Sequence, residues 1–293
     1  MCSREDFYDV CLDIFACVFF TTAASAVSVP LVAAYGPVDL TWLRFASTLV
    51  IFPVILRLRP QSFVRPSPRQ FAGLGLLGAV SLLGLFLMLY ALQGLALATT
   101  TGIFFCYPFL AVALAAIFLR ERIGLLVWTL TVLGLLGVFL LFDPQAAGVN
   151  LFSLSALGSG VAVAFKMLLT RALGLGLPPL ATAAGEALVA TALLLPFLSL
   201  GPMLSGQQIG LLLLYLVLAN GSRMAIVIAL AKADLTALAP LGYSEVVFAA
   251  AIQWYALGQP ITPFEAAAFT AILAAGLGVA QIRCRPSGVL PKG

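Results

Sequence analysis

Five ionisable side chains stand inside long apolar runs: Arg44, Lys166, Glu186, Arg223 and Glu245. A charge at mid-helix in hydrocarbon costs about 2.5–3.5 kcal/mol on insertion scales, so each needs a counter-charge, a hydrogen-bond partner or water. With about 1.5 Å of rise per residue, Glu245 and Arg223 reach a matching depth in consecutive runs, which predicts that they meet. Facing a water-filled cavity, such a pair could bind the opposite charges of a zwitterion or exchange a proton. Packed away from water, it would only lock two helices together. Glu186 and Lys166 come out nearer the same surface and extend the cluster, although Lys166 reads first as a residue whose stem lies in lipid while its amine reaches the interface. Arg44 falls nearer the opposite surface and stands apart, either at a gate or holding helix ends.

Around these charges lie polar and aromatic groups. Asn220 is three residues before Arg223 and shares its helix face, so it either orients the guanidinium or bridges two helices. Tyr90, Tyr107 and Tyr243 bring hydroxyls into apolar helices and could stack an amphipathic ligand. Trp128, Trp254 and Tyr255 suit the membrane interface, and Trp42 suits either place. Pro30, Pro53, Pro108, Pro196 and Pro240 each remove a backbone donor; Pro108 is the candidate hinge, the others shape helices. Gly134 with Gly137, and Ala271 with Ala275, permit close helix approach within one chain or between the copies of a homodimer.

The elements that must position these groups follow from composition. Of 293 residues, 62% are hydrophobic and 9% charged, against roughly a quarter charged in a soluble domain. Apolar runs of spanning length recur along the chain, which reads as an all-α integral membrane protein. Breaking the runs at Pro, Gly and charge gives helices near 11–34, 38–57, 70–93, 95–118, 123–142, 151–171, 179–200, 208–231, 235–257 and 263–282. Residues 1–10 carry Arg4 but also Glu5, Asp6 and Asp9, a poor start for a cleaved signal peptide, so the first run is expected to be a retained helix.

Ten spans put both termini on one side, together with Arg57, Arg59, Arg65, Arg69, Arg120, Arg122, Arg171 and Lys232, and with Arg4, Arg283, Arg285 and Lys292 at the ends. The opposite loops hold no Lys or Arg and carry Asp39, Asp143 and Glu265. The positive-inside rule then places both termini in the cytoplasm. At an offset of 138 the stretch 91–97 aligns with 229–235, and Leu119 to Ile123 with Leu257 to Ile261. Residues 1–145 and 146–293 therefore read as two five-helix repeats. Five is odd, so the second enters the membrane inverted, a recurring plan for secondary transporters.

Trp42, Leu43, Arg44 and Phe45, the stretch from Tyr90 through Ala98 to Tyr107 and Pro108, and the turn Leu119, Arg120, Glu121, Arg122 together resemble the drug/metabolite transporter superfamily in its ten-helix EamA-type branch. The resemblance covers nearly the whole chain and implies an exporter or exchanger of amino acids, other metabolites or drugs, with a central cavity between the halves. The second half departs from the pattern: Gln259 stands where the family often has an acid, Pro240 lies nearer its helix start than Pro108, and Arg44 has no counterpart.

Other chemistry is poorly supplied. There is no histidine, and Cys2, Cys11, Cys17, Cys106 and Cys284 form no C-x-x-C pair, so neither a metal site nor a disulfide framework is expected. No G-x-x-x-x-G-K-[ST] run points to a nucleotide, and no H-E-x-x-H or G-x-S-x-G to a zinc or serine enzyme; Glu186 and Glu245 are the one carboxylate pair an intramembrane enzyme could use. The basic residues lie in short loops rather than a stripe, which argues against nucleic acid, and the short loops argue against a receptor or scaffold. The expected protein is a secondary transporter without cofactor, moving a small amphipathic or zwitterionic metabolite by alternating access, with the proton as a candidate coupling ion. A flippase for a lipid-linked intermediate is the alternative. A bacterial inner membrane fits the composition and the resemblance. The expected pathway residues are Glu245, Arg223, Glu186, Arg44, Tyr107, Tyr243, Tyr90 and Asn220.

Overall fold

In hydrocarbon every backbone N–H and C=O has to be satisfied within the protein, which leaves helices as the economical solution for runs this apolar. The structure, a computed structural model, describes residues 4–58, 66–118, 124–140, 150–173, 176–199, 206–232, 244–256, 258 and 260–284, and among them there is no strand. The helices are α1 (Arg4–Leu58), α2 (Pro68–Ala91), α3 (Leu97–Phe104), α4 (Cys106–Phe118), α5 (Leu125–Leu140), α6 (Leu151–Leu173), α7 (Pro179–Leu194) with a terminal 3-10 turn (Leu195–Phe197), α8 (Gly206–Lys232), α9 (Ser244–Tyr255) and α10 (Pro263–Cys284). Six stretches among the described residues are long and apolar enough to cross a membrane, namely Ala16–Pro53, Pro68–Ala91, Leu97–Phe118, Leu151–Thr170, Leu180–Phe197 and Gly206–Ala225. Leu125–Leu140 and Pro263–Gly278 are shorter apolar helices.

Each boundary has a local cause. α1 is two limbs joined at Gly36, whose φ of 76° and ψ of 163° leave the helical region; glycine bears a positive φ without a Cβ clash, and Pro37 then suits the first turn of the second limb. Ser67 and Gln70 form a capping box at the start of α2, with Pro68 at the first helical position. Thr262 and Glu265 exchange the same reciprocal bonds at the start of α10, at 2.8 and 3.2 Å. The run expected as one helix over 95–118 breaks at Phe105 into α3 and α4. Pro108 explains the break: it has no N–H to give the carbonyl four residues back, that of Phe104.

The most extensive contacts join α1 to α8, α2 to α6 and α5 to α10. Glycines set the closest of these approaches. Ser159 Oγ donates to Gly84 O at 2.7 Å, joining α6 to α2. A Cβ on Gly78 would lie 2.8 Å from Val189 Cβ, and one on Gly185 2.7 Å from Leu74, so these two glycines let α2 and α7 come close enough for polar side chains to meet. Gly160 of α6 sits against the α3–α4 break, where a Cβ would fall 2.4 Å from Cys106 Sγ and 2.7 Å from the Phe104 carbonyl.

Backbone on one side of Gly160 leaves a new methyl nowhere to go. Gly160→Ala is expected to lower stability by about 1–3 kcal/mol, read as a fall in the thermal midpoint of the detergent-solubilised protein. Gly210→Ala, where nothing lies within 4 Å, is expected to leave the midpoint unchanged or raise it.

Candidate functional site

The second limb of α1 runs antiparallel to α7 and parallel to α8, and three contacts tie them. Asp39 accepts from Ser199 N at 3.1 Å and from Ser199 Oγ at 2.6 Å; Trp42 Nε1 donates to Thr191 O at 3.1 Å; Thr48 Oγ1 donates to Asn220 Oδ1 at 3.1 Å. The third lies at the inner limit of the cleft, and the first two close the Asp39 end of the bundle. At the same end Thr99 donates to Glu265 at 2.6 Å, and the buried Gln253 accepts from Ala98 N at 2.7 Å, capping α3 from a different helix.

Towards the Leu58 end the same three helices part and leave a cleft of about 320 Å³ counted to its open mouth. Its walls are apolar, with Ile51, Phe52 and Met224 prominent, apart from Thr48, Asn220 and Arg223. Asn220 is fully engaged there: besides Thr48, its amide donates to Ser47 Oγ at 2.9 Å and to Leu216 O at 2.8 Å. It bridges α8 to α1 and does not hold the guanidinium.

Arg223 is partly buried and borders the cleft. Its guanidinium lies 5.6 Å from the centre of the Phe45 ring, within cation–π range, and Nη1 makes one long bond of 3.5 Å to Ala183 O. A guanidinium has five N–H donors, so most of its capacity is unspent among the described residues. Glu186 attracts it and Arg44 repels it.

The expected Arg223–Glu245 pair does not form. Glu245 lies in the first turn of α9, partly buried, and the charge that acts on it is that of Arg44. Nor does Arg44 stand apart. Its field reaches Arg223, Glu245 and the Tyr215 hydroxyl, which is buried without a hydrogen bond of good geometry and has Arg44 as its close cationic neighbour. α1 packs against both α8 and α9, which brings Arg44 to these groups. Lys166 does not snorkel alone. It binds Glu186 Oε2 at 2.6 Å, and Ser81 Oγ donates to the same oxygen at 2.9 Å, so α6, α7 and α2 are tied at one point. Lys166 keeps 32% of its side chain exposed and Glu186 only 6%.

The aromatic candidates lie elsewhere. Tyr90 stacks between Phe86 and Phe152 at 6.2 and 5.3 Å, joining α2 to α6. Tyr107 packs on Phe104 and Phe105 at 5.0 and 5.5 Å, beside Pro108 and the break. Tyr243 lies outside the described residues. Trp254 and Tyr255 are exposed at the end of α9, where an interfacial belt would place them. Sequence reasoning missed Tyr215, Ser81, Phe45 and Thr48. The spacing of Tyr215, Ala219 and Arg223 by fours marks one face of α8 and was the available signal for Tyr215.

A model of the EamA-like transporter family matches the chain twice, over residues 10–143 and 151–281. A solved chain whose printed description reads only "Crystal structure of protein" is similar in fold, with a TM-score of 0.67 and 20% identity over 96% of this chain and 98% of its own length. No curated protein matches.

Removing one member of a buried ion pair leaves the other uncompensated, at a cost of about 3–5 kcal/mol when burial is complete. Lys166→Met strands the more deeply buried partner and is expected to lower the thermal midpoint more than Glu186→Gln, which keeps the Ser81 bond. The double substitution is expected to recover part of the loss, measured as a double-mutant cycle in detergent.

Proposed function

This chain belongs to the EamA-like transporter family, and from that premise we propose that it is a secondary transporter, an exporter or exchanger that carries a small amphipathic metabolite by alternating access around the cleft between α1, α7 and α8. The family makes it a membrane protein of the transporter type. The observation that carries the finer reading is the asymmetry of the bundle: a partly exposed cation at the edge of a cleft towards the Leu58 end, with polar ties across the Asp39 end. That is the arrangement of an inward-facing carrier if the Arg57 and Arg69 end faces the cytoplasm, as the loop charges suggest.

Ten spans in two inverted halves, with both termini cytoplasmic and the chain in a bacterial inner membrane, complete the proposal. α1 supplies two limbs, and α3 with α4 one broken span. The contact pattern supports the repeat, because α1 against α8 and α6 against α2 exchange places under the offset of 138. So do two hydrogen bonds: the offset carries Thr48 to Glu186 and Ser81 to Ala219, the neighbour of Asn220, so Thr48–Asn220 answers to Glu186–Ser81.

In this cycle the Asp39–Ser199 and Trp42–Thr191 contacts part while the Leu58 end closes, and the break at Phe105 beside Pro108 takes up part of the bending. Glu245, with the Arg44 charge beside it, is the acid placed to exchange a proton as the coupling ion. Uptake and counterflow in proteoliposomes, with and without an imposed pH gradient, are the direct test. Arg223→Ala is expected to abolish saturable flux and Glu245→Gln to remove its dependence on the pH gradient, both with monodisperse, folded protein. Normal, gradient-responsive flux in both variants would contradict the assignment of the site.

A further inference from the structure

We infer that the cleft takes a small organic acid, one carboxylate on an apolar body without a free ammonium, and that the Arg223 guanidinium is its anchor. The inference rests on the transport reading and narrows its substrate class.

Three observations combine. First, Arg223 is the polar group in the cleft with donors to spare. The Asn220 amide gives both its hydrogens to Ser47 and Leu216, and Thr48 spends its hydroxyl on Asn220 or on Arg44 O at 3.2 Å. Arg223 has one bond at 3.5 Å and a ring face. A guanidinium that borders a cavity with its fork unfilled matches a carboxylate, which it can hold through two parallel bonds.

Second, the charges around it do not balance. The acid that attracts Arg223 is Glu186, but Glu186 is already held by Lys166 at 2.6 Å and by Ser81 at 2.9 Å. Among the described side chains near the cleft, what remains is two arginines, Arg44 and Arg223, against the carboxylate of Glu245. One added anion neutralises the cluster. An added ammonium increases the excess.

Third, no acid is among the described residues that border the cleft. Away from Arg223, Thr48 and Asn220 its described walls are Ile51, Phe52, Leu180 and Met224, with Ala183 and Ala184, a surface for hydrocarbon that offers an ammonium no carboxylate to pair with. The enclosed space at rest is about 20 Å³, so wall side chains have to move aside to admit an organic acid.

Three probes of one shape separate the classes: 3-phenylpropionate, phenylalanine, which adds an ammonium, and 2-phenylethylamine, which lacks the carboxylate. Hexanoate serves as an aliphatic acid. Binding is measured by calorimetry on the full chain in detergent, with flux of the same compounds in proteoliposomes. One or both acids are expected to bind at least about tenfold more tightly than phenylalanine and than the amine. Arg223→Met is expected to weaken them by at least about tenfold, with partial rescue by Arg223→Lys, while each variant keeps the wild-type thermal midpoint to within a few degrees. A variant that fails this folding check is replaced by competition between hexanoate and 2-phenylethylamine on the wild type, where only the acid should compete with labelled 3-phenylpropionate. Preference for phenylalanine or the amine, no binding of either acid, or binding indifferent to residue 223 would overturn the inference. Flux of the amine without flux of the acids would sink the anion site and leave transport standing; binding of the acids without flux would do the reverse.

Discussion

A carboxylate held inside an apolar bundle has to be met by a cation and a donor, and Glu186 is met by both, Lys166 at 2.6 Å and Ser81 at 2.9 Å. Much of the site follows from that bond. It draws α6, α7 and α2 to a common point, and it depends on Gly78 and Gly185, because side chains at either would push α2 and α7 apart. It also takes from Arg223 the acid that would otherwise neutralise it. The guanidinium is left against Phe45 and one long carbonyl bond, at the edge of a cleft. An unfilled cation in such a place is costly unless water or a ligand reaches it, and the opening towards the Leu58 end gives both a route.

The two ends of the bundle are held differently, and the difference is physical. At the Asp39 end the ties are short and made by side chains near helix ends: Asp39 on Ser199, Glu265 on Thr99, Gln253 on the first turn of α3. Opening this end requires that the buried Asp39 and Gln253 be met by water or by new partners. Away from that end the tie is the Lys166–Glu186 ion pair, which costs more to part because each partner would be left as an uncompensated charge. A bundle that rocks about its middle would exchange the first kind and keep the second.

How much of this the sequence carries depends on which physical signal is read. Helix existence follows from hydropathy, so the helices fall close to where the apolar runs predicted them, and the Gly36–Pro37 and Ser67–Pro68 boundaries are legible in the residues themselves. The Phe105 break was signalled by Pro108. Partners were not legible. Depth along a helix can be counted, but which way a side chain faces depends on the rotation of its helix against neighbours far along the chain. Arg223 and Glu245, expected at one depth, do not pair; Lys166 and Glu186, read separately, do. Tyr215 carried no charge to draw notice. The stretch 233–243, with Pro240 and Tyr243, lies outside the described residues.

The measurement that tests the central claim most directly is the sidedness of the cleft. A cysteine placed at Ala183, which lines the cleft, in a background with the native cysteines replaced, is labelled with a membrane-impermeant thiol reagent in right-side-out and in inverted vesicles. The account predicts labelling from the Leu58 face at rest and from the opposite face once an outward-facing state is populated by turnover. Labelling from one face alone under every condition, or from neither, would contradict alternating access around this cleft.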